Sequence, residues 1–160
     1  MNGNNEELKN CLEEIDETAK FIADNNLLEI NRKLILYCAI RASSVLESSF
    51  KGIIFDRLSA GCNEETKNYL KNEIIDSSSN PSPVAISSLL KKINNDWATE
   101  FEKKVGFRKS KEYNQLWSLV NIRNAFNHRE VPIVDSIDDI REYFLSGIKV
   151  IEILDEIVSS

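Results

Sequence analysis

The sequence predicts an all-α protein, a bundle of about five to seven helices. Glycine and proline are scarce, with five and three copies among 160 residues, and no segment keeps the period-two alternation of a β-strand. Apolar residues instead recur at spacings of three and four along most of the chain, which is the pattern of a helix with one buried face.

The first half of the chain contains two long helices and one short one. The first is expected at residues 6–23, where one stripe is apolar, and the second at residues 27–59. Because the second carries apolar residues on two faces, it is expected to lie centrally in the bundle. Gly61 is expected to end it in the left-handed conformation, and a short helix at residues 63–75 follows.

A serine-rich segment, residues 76–83, is the loop-like stretch of the chain. Neither the part of the chain before this segment nor the part after it looks able to fold alone, so the segment is expected to connect helices within a single domain spanning residues 1–160. Helices are expected next at about 84–94 and 97–105.

Two serines are placed to begin the last two helices. Ser110 and Ser136 each precede an apolar stripe and are expected to accept N-cap hydrogen bonds. Pro132 lacks a backbone donor and discourages a helix from continuing past Arg129, so His128 is expected in the last turn of the penultimate helix or just after it.

Composition excludes several classes of protein. The net charge is −6, with 29% charged and 42% hydrophobic residues, which is typical of soluble globular chains. No apolar run approaches the roughly 18 residues of a membrane span, and the first residues lack the features of a signal peptide. The three cysteines, Cys11, Cys38 and Cys62, are scattered and odd in number, so reduced thiols in a cytoplasmic protein are expected, and no metal site. We also expect neither a cofactor nor a membrane partner.

The end of the penultimate helix interrupts its own apolar stripe. The stripe would continue near positions 123, 124, 127 and 128, and the sequence supplies Arg123, Asn124, Asn127 and His128. Such groups cost roughly 1–3 kcal/mol or more when buried without partners. A stripe that turns polar in this way indicates a wet cleft, and His128 is the single histidine of the chain.

Basic residues concentrate around this motif. Between Lys103 and Arg129 lie seven basic residues and one acidic residue, a balance of +6, whereas the rest of the chain, with 13 basic and 25 acidic residues, carries −12. A phosphate-bearing substrate would be steered by such a segment, although a solvated helix face is the ordinary alternative. The candidate RNA-binding residues are Lys103, Lys104, Arg108, Lys109, Lys111 and Arg129.

The segment Leu116–His128 resembles the signature of the HEPN superfamily, an arginine, a polar residue, three variable positions and a histidine near the end of a bundle helix. The preceding Leu-x-x-Leu-Val is most similar to the RiboL-PSP type. An earlier helix segment with Glu47 and Lys51 resembles the family's other conserved element.

This resemblance implies a HEPN-like bundle with a four-helix core, acting as a metal-independent endoribonuclease. Carried over residue by residue, Arg123 and His128 become the catalytic pair, Asn124 supports their geometry, and Glu47 and Asn127 are supporting residues. The family further implies a homodimer whose two motifs face one another, an RNA substrate, and a toxin–antitoxin or anti-phage setting with an antitoxin or defence-protein partner. Degenerate members act as noncatalytic modules for protein interaction or nucleotide binding, which is the alternative function.

The side chains favour the same chemistry. Cleavage of RNA by its own 2′-hydroxyl needs two proton transfers and charge relief on the phosphorane; histidine suits the transfers and arginine the charge. One histidine per chain does not easily perform both transfers, whereas a symmetric dimer supplies two. Arg123 and His128 also diverge by about 140° on a regular helix, so either the last turn frays or a second subunit completes the site.

Each of these residues also has an ordinary structural interpretation. A histidine near a helix C-terminus can simply compensate the helix dipole, an arginine can form a salt bridge, asparagines often fill helix ends, and Glu47 can face solvent. Trp97 and Trp117 are expected in the core, although either can stack on a base.

Overall fold

The computed structural model describes residues 2–127 and 135–160, and these two ranges contain seven α-helices. In chain order they are α1 (Asn2–Asp24), α2 (Leu28–Ser59), α3 (Glu64–Leu70), α4 (Pro83–Ile93), α5 (Asn95–Val105), α6 (Lys111–Asn127) and α7 (Ile137–Ser159), with a π-helical turn (Lys71–Ile75) directly after α3. Within the two described ranges there is no strand. The all-α prediction is confirmed.

Four long helices form the centre of the bundle. Helix α2 packs against α1, α6 and α7, and α7 also packs against α1 and α6. Helices α4 and α5 pack on each other, with α5 against α7, while α3 and the π-helical turn lie against α2. The expected four-helix core and the central position of α2 are both confirmed.

The core is filled by large side chains from all four central helices. The fully buried ones include Ile15, Leu46, Phe50, Leu116, Leu119, Phe144 and Leu154. Helices α2 and α7 approach closely at Gly147, where a β-carbon would overlap the side chain of Leu46. This contact fixes the distance between the two helices on which the core depends.

Polar side chains begin the helices as the sequence indicated. Ser110 accepts a hydrogen bond from the Tyr113 amide at 3.0 Å. At the start of α7, Ser136 and Asp139 form a reciprocal capping box. Gly61 adopts the left-handed conformation after α2, with φ of 76°, as expected.

Some boundaries and burials differ from the prediction. Helix α4 begins at Pro83, inside the segment expected to be a loop, because proline at the first helical position loses no hydrogen bond. The apolar residues on two faces of the second helix predict burial along its whole length, yet Ile30 is 48% exposed and the buried positions of α2 begin at Cys38. No helix among the described residues is long and apolar enough to cross a membrane.

Candidate functional site

Arg123 lies on the side of α6 that faces α2, where Glu47 holds its guanidinium. The Nη2 atom lies 3.1 Å from Glu47 Oε2, and the Arg123 side chain keeps 25% exposure. Its neighbours on the same helix face, Leu116 and Val120, are buried in the core. A cationic group therefore occupies the end of an apolar stripe and has both a carboxylate partner and access to water.

Glu47 bridges two cations. One carboxylate oxygen contacts Arg123, and the other lies 2.7 Å from the ammonium of Lys51, one turn further along α2. Charge-assisted hydrogen bonds of this length are among the stronger polar contacts in proteins. Because each oxygen takes one cation, the carboxylate orientation is fixed. Arg123 uses its Nη2 atom in this ion pair, and a guanidinium carries five N–H donors in all.

Lys51 connects this ion pair to the segment after the π-helical turn. Its side chain is only 5% exposed, and its ammonium also donates to the carbonyl oxygens of Ile75 at 3.3 Å and Ser77 at 2.5 Å. Carbonyl groups at the end of a helical segment lack partners within it, and π-helical turns are frequent at functional sites. Lys51 uses all three of its donors here, which ties the 75–77 segment to the ion pair.

The three charged side chains line a cleft of about 630 Å³. Its described walls come from α1, α2, α6 and the end of the π-helical turn: Glu7, Ser44, Glu47, Ser48, Lys51, Ile75 and Arg123. Two cations and two carboxylates balance along this lining. Glu7 is exposed at the rim, so one of the negative charges faces solvent rather than either cation.

Asn124 and Asn127 are the other residues of the predicted motif within the described part of the chain. Asn124 follows Arg123 and is partly buried, but it is not among the described residues that line the cleft. Asn127 is the last residue of α6. His128 and Arg129 lie outside the described residues, so their predicted roles stay predictions.

The predicted RNA-binding residues divide into two groups. Lys104 pairs with Glu100 at 3.3 Å and with Glu156 at 3.6 Å, and Lys111 pairs with Glu142 at 3.1 Å. These contacts offset part of the positive charge counted in the sequence. The other three described members, Lys103, Arg108 and Lys109, are exposed and form no ion pair with the part of the chain that the structure describes.

The sequence prediction gave no role to Lys51 or to the serines of the cleft. A signal for Lys51 exists: it follows Glu47 by four positions and precedes Ile54 by three on the buried face of α2, where lysine is rarely placed unless paired. Ser44 and Ser48 stand one turn apart, on the same face as Glu47. The α2 wall of the cleft is therefore indicated in the sequence by polar residues at helical spacing among apolar ones.

The two tryptophans differ in their environment. Trp97 is partly buried and packs against the core, in keeping with the prediction. Trp117 was also expected in the core, and this is wrong, since its side chain is 40% exposed. It lies at the edge of the buried face of α6, where helical spacing alone does not decide between core and solvent.

Two of the three cysteines are buried thiols with little nucleophilic character. Cys11 and Cys38 are buried free thiols, and Cys62 is partly buried. Burial raises the pKa of Cys11 to about 12, and burial likewise raises the pKa of Cys38. A thiol with a raised pKa carries almost no thiolate at neutral pH.

A family comparison covers almost the whole chain. Residues 4–160 match the family model described as RiboL-PSP-HEPN. No curated protein and no solved structure matches the chain significantly. The long match agrees with the resemblance carried by the motif around Arg123 and with the all-α bundle that presents it. The chain belongs to the RiboL-PSP-HEPN family.

Proposed function

We propose that the protein is a metal-independent endoribonuclease that cleaves RNA by attack of a 2′-hydroxyl on the adjacent phosphate. The observation that carries the proposal is the placement of Arg123 in the cleft between α2 and α6, held by Glu47 at 3.1 Å. HEPN-family membership supports it. We further propose a cytoplasmic protein of a toxin–antitoxin or anti-phage system, controlled by an antitoxin or another defence protein.

Arg123 is suited to bind the scissile phosphate. A guanidinium is planar and always charged, and its donors match two phosphate oxygens at once. Glu47 holds one nitrogen and thereby fixes the direction in which the others point. Donors fixed before the reaction stabilise the charge of the phosphorane without the cost of reorganising them.

In the sequence His128 comes five positions after Arg123. In this proposal the imidazole of one subunit removes the proton of the 2′-hydroxyl, and the imidazole of a second subunit protonates the leaving 5′-oxygen. Asn124, one turn before His128, orients the ring by hydrogen bonding, and Asn127 supports the same turn. The expected products carry a 2′,3′-cyclic phosphate and a free 5′-hydroxyl.

One observation favours the alternative of a noncatalytic interaction module. Arg123 already has a carboxylate partner, and the charges balance among the described residues that line the cleft. A purely structural ion pair between α2 and α6 would have the same geometry. In both candidate functions, nuclease and interaction module, loss of Arg123 lowers stability. Only in the nuclease does it also lower the rate of RNA cleavage.

Cleavage assays with paired variants separate them. Purified protein is incubated with total RNA in excess chelator, beside Arg123→Gln, His128→Ala and the control Arg32→Gln. Arg32 forms an exposed pair with Glu29 at 3.6 Å, so its variant carries the same chemical change outside the cleft. Loss of an acid–base or charge-stabilising group is expected to slow cleavage by about 10²- to 10⁴-fold, while the control cleaves at the wild-type rate.

Two outcomes would contradict the enzymatic proposal. Wild-type protein that leaves RNA intact in chelator would refute it, as would equal cleavage by all the variants.

Light scattering tests the proposed dimer, and an active preparation that stays monomeric at micromolar concentration would contradict the two-histidine mechanism. Growth arrest on expression of the wild type, absent for His128→Ala, is the result expected of a toxin.

A further inference from the structure

An aromatic stack ends at the exposed side chain of Trp117. The Trp117 and Tyr113 rings are nearly parallel, with an interplanar angle of 7° and centroids 6.4 Å apart. Tyr113 in turn meets Phe107 edge to face at 4.9 Å. Tyr113 is only 7% exposed, whereas Trp117 is 40% exposed, so a buried ring lies beside an exposed one.

A cation lies at the other end of the stack. The Arg108 guanidinium carbon lies 5.9 Å from the centre of the Phe107 ring, within the range of a cation–π contact. Arg108 also has a φ of 61°, an uncommon conformation for a residue with a β-carbon. The turn between α5 and α6 thus holds an exposed arginine beside the aromatic rings, and Lys109 follows it.

The fold does not require an indole at this position. Helix α6 already buries Leu116, Leu119 and Val120, and a polar helix former at 117 would leave these contacts intact. Aromatic side chains, tryptophan among them, are enriched at binding interfaces. Its parallel backing by Tyr113 holds the ring in a fixed orientation, as a stacking platform for a flat ligand requires.

The platform lies on the same helix as the cleft. Trp117 and Arg123 are six positions apart, which is about 9 Å along the axis of α6 and about 120° around it, or about 13 Å in all on a helix of roughly 11 Å diameter. Asn124, seven positions after Trp117, shares its side of the helix. In a strand at 3.4 Å per nucleotide this distance is about four stacked nucleotides.

We propose that Trp117 is a base-stacking site for an unpaired nucleobase of single-stranded RNA, about four nucleotides from the phosphate at Arg123. The inference rests on the proposed function, since it names the substrate class of that site. Duplex RNA covers the faces of its bases, whereas single strands present them for stacking on aromatic side chains. The nearby Arg108 and Lys109 contribute the positive charge that the RNA backbone needs.

Intrinsic fluorescence tests this directly, because the chain has only two tryptophans. In Trp97→Phe the emission reports Trp117 alone, and in Trp117→Phe it reports Trp97 alone. Each protein is titrated with a single-stranded 2′-O-methyl oligonucleotide, which the proposed reaction cannot cleave, and with a duplex of the same length. The single strand is expected to quench Trp117 and leave Trp97 unchanged, and the duplex is expected to bind more weakly.

Affinity and kinetics give the second readout. Trp117→Ala is expected to weaken binding of the single strand by about 5- to 150-fold, whereas Trp117→Phe keeps much of the affinity because a phenyl ring still stacks. In cleavage the alanine variant is expected to raise KM and to leave kcat near the wild-type value.

Each contrary result has its own meaning. If Trp117→Ala binds and cleaves as the wild type does, the stacking site is refuted and the nuclease stands. If the wild type cleaves no RNA but the oligonucleotide still quenches Trp117, the nuclease is refuted and base binding stands. If Trp117 emission shifts with protein concentration alone, this face is a contact between copies, which overturns the inference.

Discussion

Replacement of Glu47 by glutamine tests whether the ion pair holds the candidate site together. The amide keeps the shape of the side chain but removes the negative charge between the Arg123 and Lys51 cations, at 3.1 and 2.7 Å. Removing one partner of a buried pair costs about 3–5 kcal/mol. Because Glu47 and Arg123 keep 17% and 25% exposure, water screens part of this loss, and we expect a destabilisation of about 2–3 kcal/mol.

Urea and thermal unfolding measure this loss. For a domain of this size the expected drop in Tm is about 4–12 °C. Glu29→Gln is the matched control, since Glu29 pairs with Arg32 at 3.6 Å with 80% and 54% exposure. Such an exposed pair contributes less than about 0.5 kcal/mol, and high salt should remove that small effect while leaving most of the Glu47 effect.

A double-mutant cycle isolates the pair itself. Glu47→Gln and Arg123→Gln are measured singly and together, and contacting charges are expected to show a coupling of about 1–2 kcal/mol. A coupling near zero, or a Glu47→Gln variant no less stable than Glu29→Gln, would show that the ion pair does not hold α2 and α6 together. Glu47→Gln is also expected to slow RNA cleavage, because the guanidinium then loses its fixed direction.

The remaining predictions concern packing, thiol chemistry and the rim of the cleft. Gly147→Ala is expected to destabilise the fold by about 1–3 kcal/mol, because the new methyl group overlaps Leu46 between α2 and α7; wild-type stability in urea unfolding would contradict this contact. Iodoacetamide at pH 8 is expected to alkylate Cys62 well before Cys11, whose pKa burial raises to about 12, and peptide mass spectrometry that finds both modified at once would oppose it. The stability gained by burying the neutral Cys11 thiol is present below its ordinary pKa of 9.0 and is expected to decline as the pH rises towards about 12. Glu7→Gln is expected to lower KM for RNA by up to about fivefold at low salt, by removing a rim carboxylate from the cleft; an unchanged or higher KM would place the phosphate elsewhere.

The sequence was sufficient to predict the helices because their signals are local. The apolar spacing of α2, the serine caps at Ser110 and Ser136, and the left-handed Gly61 each depend on a few neighbouring residues. The polar interruption around Arg123 likewise marked the end of α6 as a wet face. These features need no knowledge of which helices meet.

The contacts of the candidate site depend on pairing between distant segments. Arg123 and Glu47 stand on different helices. The sequence indicates that Arg123 interrupts the apolar stripe of α6, but it does not indicate that Glu47 on α2 is its partner. The link from Lys51 to the carbonyls of Ile75 and Ser77 depends on a π-helical turn, which differs from an α-helical turn by a single residue per bond and leaves no clear pattern of side chains.

Exposure at the edge of a helix face is equally hard to read from spacing. Trp117 and Tyr113 are four positions apart, so both fit the apolar stripe of α6, yet one is exposed and the other buried. The difference depends on how far the neighbouring helices extend. Bulk and hydrophobicity alone therefore placed Trp117 in the core.

The most direct test of the central claim is cleavage of an RNA oligonucleotide with one 2′-deoxy substitution at the cut position, in excess chelator. The cut position is first mapped on the unmodified strand, and the ends of its products are identified by mass spectrometry. The unmodified strand is expected to yield a 2′,3′-cyclic phosphate and a 5′-hydroxyl, and the substituted bond is expected to stay intact. Arg123→Gln is expected to cut the unmodified strand at least about 100-fold more slowly than the wild type. Continued cutting at the 2′-deoxy position, or products with a 5′-phosphate, would contradict it.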